Sequence, residues 1–172
     1  MTENTPALQQ GESLDLEWLV NNLLDTPGVT GAVLAAQDGL ALAHTRRGSM
    51  FADKGFDEET AERLASVISG MYALANGVAR LTGGSGRDLQ LGLLKHTEWS
   101  LFVMSAGTGV PDGTPVGLGR SAAEVECTLG VVVTPDADEG AIGYEMKQLV
   151  RGMDRHLRTS TRRPDSVPAD GQ

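Results

Sequence analysis

Residues 57 to 82, DEETAERLASVISGMYALANGVARLT, read as one long helix whose two sides decide the fold. At about 3.6 residues per turn, Leu64, Val67, Ile68, Met71, Leu74, Ala75, Val78 and Leu81 fall along one apolar stripe suited to packing on a sheet. A side meeting water would carry Glu and Lys. Instead Ala65, Ser69, Ala73 and Gly77 recur at every fourth position, with Ser66 and Gly70 beside them. Gly inside a helix costs roughly 1 kcal/mol against Ala, whereas small side chains admit a second backbone closely. The expectation is a helix with a sheet on one side and a second copy of itself on the other. Asp57, Glu58 and Glu59 complement the positive end of its dipole, and Gly83-Gly84-Ser85-Gly86 stops it.

Working outward toward the N-terminus, residues 1–12 are polar and read as a disordered tail. Leu16, Leu19, Val20 and Leu23 then recur at helical spacing, with Ser13 as a candidate cap, until Pro27-Gly28 ends the pattern. From Val29 to His44 the spacing predicts a β-hairpin. Val29, Gly31, Val33 and Ala35 alternate with Thr30, Ala32, Leu34 and Ala36, and the turn centres on Asp38-Gly39, a pair suited to positive φ at both positions. A polar loop from Thr45 to Gly55 carries Arg46, Arg47, Met50 and Phe51.

Toward the C-terminus, Asp88–Lys95 and Trp99–Ser105 are expected to be strands, with Leu89, Leu91 and Leu93 sharing one face. The Gly- and Pro-rich stretch 107–123 reads as a long exposed loop. Glu124–Val133 alternates Val125, Cys127, Leu129, Val131 and Val133 as a last strand. Asp136 and Glu139 have the spacing of a capping box, and a final helix runs to about Leu157 on a stripe of Ile142, Met146, Leu149, Val150 and Met153. Residues 158–172 form a polar tail. One α+β domain over 13–157 results, in the order α-β-β-α-β-β-β-α, with a mainly antiparallel five-stranded sheet.

The 172 residues include 40% apolar but only 4% aromatic side chains, so the core must be built from Leu, Val, Ala and Met. No run approaches the ~20 apolar residues that cross a bilayer, and residues 1–13 lack the basic and apolar regions of a secretory signal. A single cysteine, Cys127, excludes an internal disulfide and suits a reducing cytoplasm. At a net charge of −9 the chain repels nucleic acid, and the Arg151, Arg155, Arg158, Arg162 and Arg163 cluster is read as complementing a helix C-terminus.

Catalytic chemistry finds no foothold. The Gly cluster at 83–86 lacks the Lys of a P-loop and follows a helix instead of leading into one; Gly107-Thr108-Gly109 fails the dinucleotide pattern for the same reason. His44, His96 and His156 share no metal-ligand spacing, and Cys127 alternates with core residues. Neither a cofactor nor a metal is expected.

The stretch Leu19–His44, with PGVTGAVLA at 27–35 and DGLALA at 38–43, resembles the roadblock/dynein-light-chain domain. The likeness continues in AERLA at 61–65, SGMYALA at 69–75, and GYEM at 143–146 followed by Leu149-Val150. Within that family it is similar to the actinobacterial conservon type, whose operons hold a histidine-kinase-like sensor, an accessory protein and a Ras-like GTPase. The resemblance implies a sheet with the long helix on one face and two helices on the other. It also implies a homodimer in which the long helices pair and the third strands join, through Ala65, Ser69, Ala73, Gly77, Leu89, Leu91 and Leu93. It implies a non-enzymatic, cytoplasmic regulator or scaffold for a small Ras-like GTPase, brought to membranes by its partners and not inserted itself. The surface expected to meet the GTPase is Arg46, Arg47, Met50, Phe51 and Phe56, which neither core nor dimer consumes. A small-ligand sensor of PAS or GAF type is the rival reading; it needs an aromatic-lined pocket, and the chain has seven aromatic residues in all.

Overall fold

The computed structural model describes residues 16–45, 56–84, 89–108 and 126–159. The expected tail 1–12, residues 160–172 of the other and most of the 107–123 stretch lie outside them, while residues 158 and 159 belong to the last helix. A short helix α1 (16–21) runs into a 3-10 turn at Asn22–Asp25. Strands β1 (Val29–Ala36) and β2 (Ala41–His44), helix α2 (Glu58–Leu81), strands β3 (Gly92–Lys95), β4 (Ser100–Thr108) and β5 (Glu126–Val133), and helix α3 (Glu139–Thr159) follow. The sheet order is β2-β1-β5-β4-β3, and every neighbouring pair is antiparallel.

β1 and β5 sit at the centre and are buried on both faces, which is why each reads as a near-continuous apolar run. Ala32 and Leu34 of β1, Phe102 and Met104 of β4, and Cys127, Leu129, Val131 and Val133 of β5 pack against Leu16, Val20, Ile142, Met146, Leu149 and Met153 of α1 and α3. Val33, Ala35, Leu101, Val103 and Val132 face the other way, onto Ala61, Leu64, Ala65 and Ile68 of α2. Two helices on one face and one on the other is the expected layering.

Local details differ from the sequence expectation at three joints. The β1–β2 turn has positive φ only at Gly39 (87°); Gly39 N donates to Ala36 O and Ala36 N donates to Leu40 O. A three-residue loop closed by a bulge results, because Asp38 uses its carboxylate to accept from Leu40 N and stays out of the left-handed region. α3 is capped by Asp138, whose Oδ1 accepts from Ala141 N, and not by Asp136. β3 begins only at Gly92, four residues after the expected start, since Leu89 meets β4 through a single bond from Ser105 N to its carbonyl. The stop after α2 is as expected: Gly83 has φ 77°, Gly83 N donates to Arg80 O and Gly84 N donates to Ala79 O, a Schellman closure.

Candidate interaction surface

Asp57 caps α2, accepting from Thr60 N at 2.9 Å, and Phe56 just before it is 4% exposed. The Phe56 ring lies directly on Gly31 of β1, where even a Cβ would come within 2.5 Å of it. Phe56 therefore anchors the start of α2 to the sheet and is not open to a partner, a correction to its expected role. Arg46, Arg47, Met50 and Phe51 lie outside the described residues.

The apolar stripe of α2 turns out to be two surfaces. Ala61, Leu64, Ala65, Ile68 and Tyr72 face the sheet and are buried. Val67, Leu74, Val78 and Leu81, expected to join them, are 52%, 74%, 61% and 88% exposed. Helix geometry explains the split. Val67, Leu74, Val78 and Leu81 recur at spacings of seven, four and three, on a side of α2 about a third of a turn from the buried one. Beyond Tyr72 no residue of α2 is buried, so its last turns overhang the packed part. By length and composition alone α2 is long and apolar enough to cross a membrane, although it holds no unbroken apolar run. Its apolarity serves one face on the sheet and one facing out.

The small-residue ridge also divides. Ala65 has no exposed surface and packs on the sheet, so it does not belong to an outward face. Ser69 donates from Oγ to Gln37 O at 2.6 Å, and Gly39 approaches Ser66 so closely that an added Cβ would sit 3.4 Å from its Cα. The small side chains here admit the molecule's own β1–β2 turn. Ala73 is exposed, and Gly77, half-buried, has nothing within 4 Å of where a Cβ would stand; these two remain beside Leu74, Val78 and Leu81 on the overhang.

β3 is an outermost strand with one neighbour, and Leu91, Leu93 and Leu94 are 41%, 38% and 45% exposed at that edge. The three leucines expected on one face do not share it. Leu93 lies opposite Phe102 on the α3 face, where Leu91 also approaches Gly143, whereas Leu89 packs against the cluster under α2. An exposed apolar edge with unpaired backbone groups is a template for a further strand.

Tyr72 closes the buried part of α2. Its hydroxyl donates to the Glu126 carboxylate at 3.1 Å, tying the helix to the first residue of β5. Burial pushes the Tyr72 phenol above its usual value, with Asn76 opposing and the Glu126 charge reinforcing the shift. Burial likewise pushes the Cys127 thiol up to about 12, which leaves it protonated and unreactive at neutral pH. His44 is tilted against Phe56, with its Nδ1 3.0 Å from Thr45 O, and His96 stacks on Trp99. The described residues contain no group of three His, Cys, Asp or Glu placed to hold a metal.

What this arrangement can do is bind. Among the described residues, the outward apolar strip of α2 and the edge of β3 are exposed apolar surfaces, and the first was misread from the sequence because its residues fall close in step with those on the sheet side.

A family model for the Roadblock/LC7 domain matches residues 15–110. A solved Roadblock/LC7 domain from Streptomyces avermitilis is 28% identical, covers 83% of this chain and 97% of its own, and superposes with a TM-score of 0.61. The gliding protein MglB of Thermus thermophilus shares the fold at 19% identity, over 87% of this chain and 93% of its own, with a TM-score of 0.64. Myxococcus xanthus MglB does so at 15% identity, over 90% and 96%, also at 0.64. Comparison with curated proteins gives no match.

Proposed function

The chain belongs to the Roadblock/LC7 domain family, and from that premise we propose that it is a non-catalytic, homodimeric regulator that binds a small Ras-like GTPase in a bacterial signalling complex. The observation that carries this reading is the overhang of α2. Leu74, Val78 and Leu81 expose a large apolar area beside the small Ala73 and half-buried Gly77, a combination that favours close helix pairing. Two such helices would cover each other's strips, and two β3 edges would join the sheets. The proposed dimer contact is thus Val67, Ala73, Leu74, Gly77, Val78 and Leu81 with β3; Ala65 and Ser69 are spent within the protomer.

The GTPase would then meet Arg46, Arg47, Met50 and Phe51, between β2 and α2. Aromatic and Arg side chains dominate binding energy at such surfaces. In this reading the protein is cytoplasmic and reaches a membrane-bound sensor through its partners. The test is capture of a GTPase from lysate with GTP or GDP, repeated with Phe51→Ala and Arg47→Glu. Loss of capture by about tenfold in either variant, with an unchanged dimer in light scattering, supports the proposal. Equal capture by both variants, or a wild-type monomer at tens of micromolar, overturns it.

A further inference from the structure

On the face of the sheet opposite α2, a half-open cleft of about 350 Å³ lies between α3 and the strand edge. Met104 and Val150 give it an apolar floor, Leu89 borders it where the chain enters the sheet, and Lys147 and Arg151, one turn apart on α3, stand at its rim. Both cations are exposed, and among the described residues neither pairs with a carboxylate; the ion pairs there are Arg63 with Glu59 and Lys95 with Glu139. Like charges one turn apart repel each other.

The charge of the chain makes this placement informative. Net charge is −9, yet residues 147–163 hold six of the 14 Lys and Arg and one of the 23 Asp and Glu. Helix-dipole complementation, the sequence-based account of this cluster, reaches only the last turn. α3 ends at Thr159, so Lys147 and Arg151 lie twelve and eight residues short of that end and are not explained by it.

We propose that this cleft is a docking site for an acidic peptide segment of a partner protein. An apolar side chain of the peptide seats on Met104 and Val150, and carboxylates on either side of it meet Lys147 and Arg151. An anionic membrane is the poorer fit. The apolar side of α3 is spent on the sheet through Ile142, Met146, Leu149 and Met153, leaving nothing to insert, and a flat bilayer reaches the rim but not the floor. None of the residues lining the cleft belongs to the surface proposed for the GTPase, so the site does not depend on that reading.

The experiment uses the full chain with a fluorescein-labelled peptide, Glu-Glu-Leu-Glu-Asp-Leu, its Gln/Asn counterpart, and phosphatidylserine vesicles. Anisotropy should show binding of the acidic peptide that weakens with salt, and at least tenfold weaker binding of the counterpart. Lys147→Glu with Arg151→Glu should lower affinity for the acidic peptide at least tenfold without moving the melting temperature, both residues being exposed. With methyl-labelled methionine, the Met104 resonance should shift on adding peptide while that of Met71, on α2 across the sheet, stays in place. No binding of the acidic peptide at low salt, equal binding by the double variant, or an unmoved Met104 signal overturns the proposal. So does vesicle binding that depends on both cations while the peptide fails to bind.

Discussion

Ile68 and Leu74 stand less than two turns apart on α2, yet Ile68 has no exposed surface and Leu74 keeps 74% of its own. The first half of the helix is consumed by its own domain. Phe56 and the Asp57 cap fix its start, Leu64 and Ile68 fill the space over Val33, Val103 and Val132, and Ser66 and Ser69 receive the β1–β2 turn. Beyond Tyr72 no residue of the helix is buried in the protomer. Residue types barely differ between the two. The difference lies in which side of the helix each residue occupies, and it teaches that apolar periodicity measures how many surfaces a helix must bury without saying which molecule supplies them.

The strongest way to break this contrast is Ile68→Ala. Ile68 packs so tightly on Gly130 that an added Cβ there would come within 2.6 Å of its Cγ2. Truncation leaves a cavity that the central strand cannot fill, at a cost of about 2–5 kcal/mol. Urea denaturation should show this loss at every protein concentration, because the contact lies within one protomer. A loss that fades on dilution would mean that Ile68 also serves an interface, and the two halves would not differ as described.

Leu74→Glu should have the next largest effect, of a different kind. A carboxylate in an apolar helix contact is desolvated without a partner, so self-association should weaken by at least about tenfold. The isolated protomer should change by less than about 0.5 kcal/mol, as exposed positions do. Sedimentation equilibrium reads the first quantity and denaturation at high dilution the second. An unchanged association constant would place the protomer contact away from the overhang.

Much of the architecture was legible in the chain. The two-faced alternation of β1 and β5, the stripe of α3 and the glycine stop after α2 all obey local rules, and they appear where those rules put them. What was not legible depended on distant neighbours. Ala65 and Ser69 looked like a ridge for a second helix because small residues signal close approach without naming what approaches; here it is the sheet and the Gln37–Gly39 turn. Phe56 looked stranded in a polar stretch because its partner, Gly31, lies 25 positions earlier. Leu89 fell into step with Leu91 and Leu93, yet it precedes the strand and turns to the opposite face. The outward strip of α2 could have been suspected from its spacing, since Val67, Leu74, Val78 and Leu81 lie about a third of a turn from Ala61, Leu64, Ala65 and Ile68.

The smallest effect tests the boundary between the halves. Tyr72 is the last fully buried residue of α2, and its hydroxyl bond to Glu126 is what holds that turn to β5. Tyr72→Phe keeps the ring and removes the bond, so stability at pH 7 should fall by about 1 kcal/mol. The pH dependence separates this from a packing change. Burial, opposed by Asn76 and aided by the Glu126 charge, raises the phenol in the folded protein above its unfolded value of 10.0. The folded state therefore holds its proton to higher pH than the unfolded chain does. The contribution from that raised value is fully present below pH 10 and is lost as pH climbs through the folded pKa. Over the alkaline range above pH 10 the wild type should lose stability that the Phe variant, having no phenol, does not lose by this route, so the gap between them should narrow. A gap that stays constant through that range would show the Tyr72 hydroxyl to be solvated, and the buried half of α2 would end a turn earlier, at Ile68.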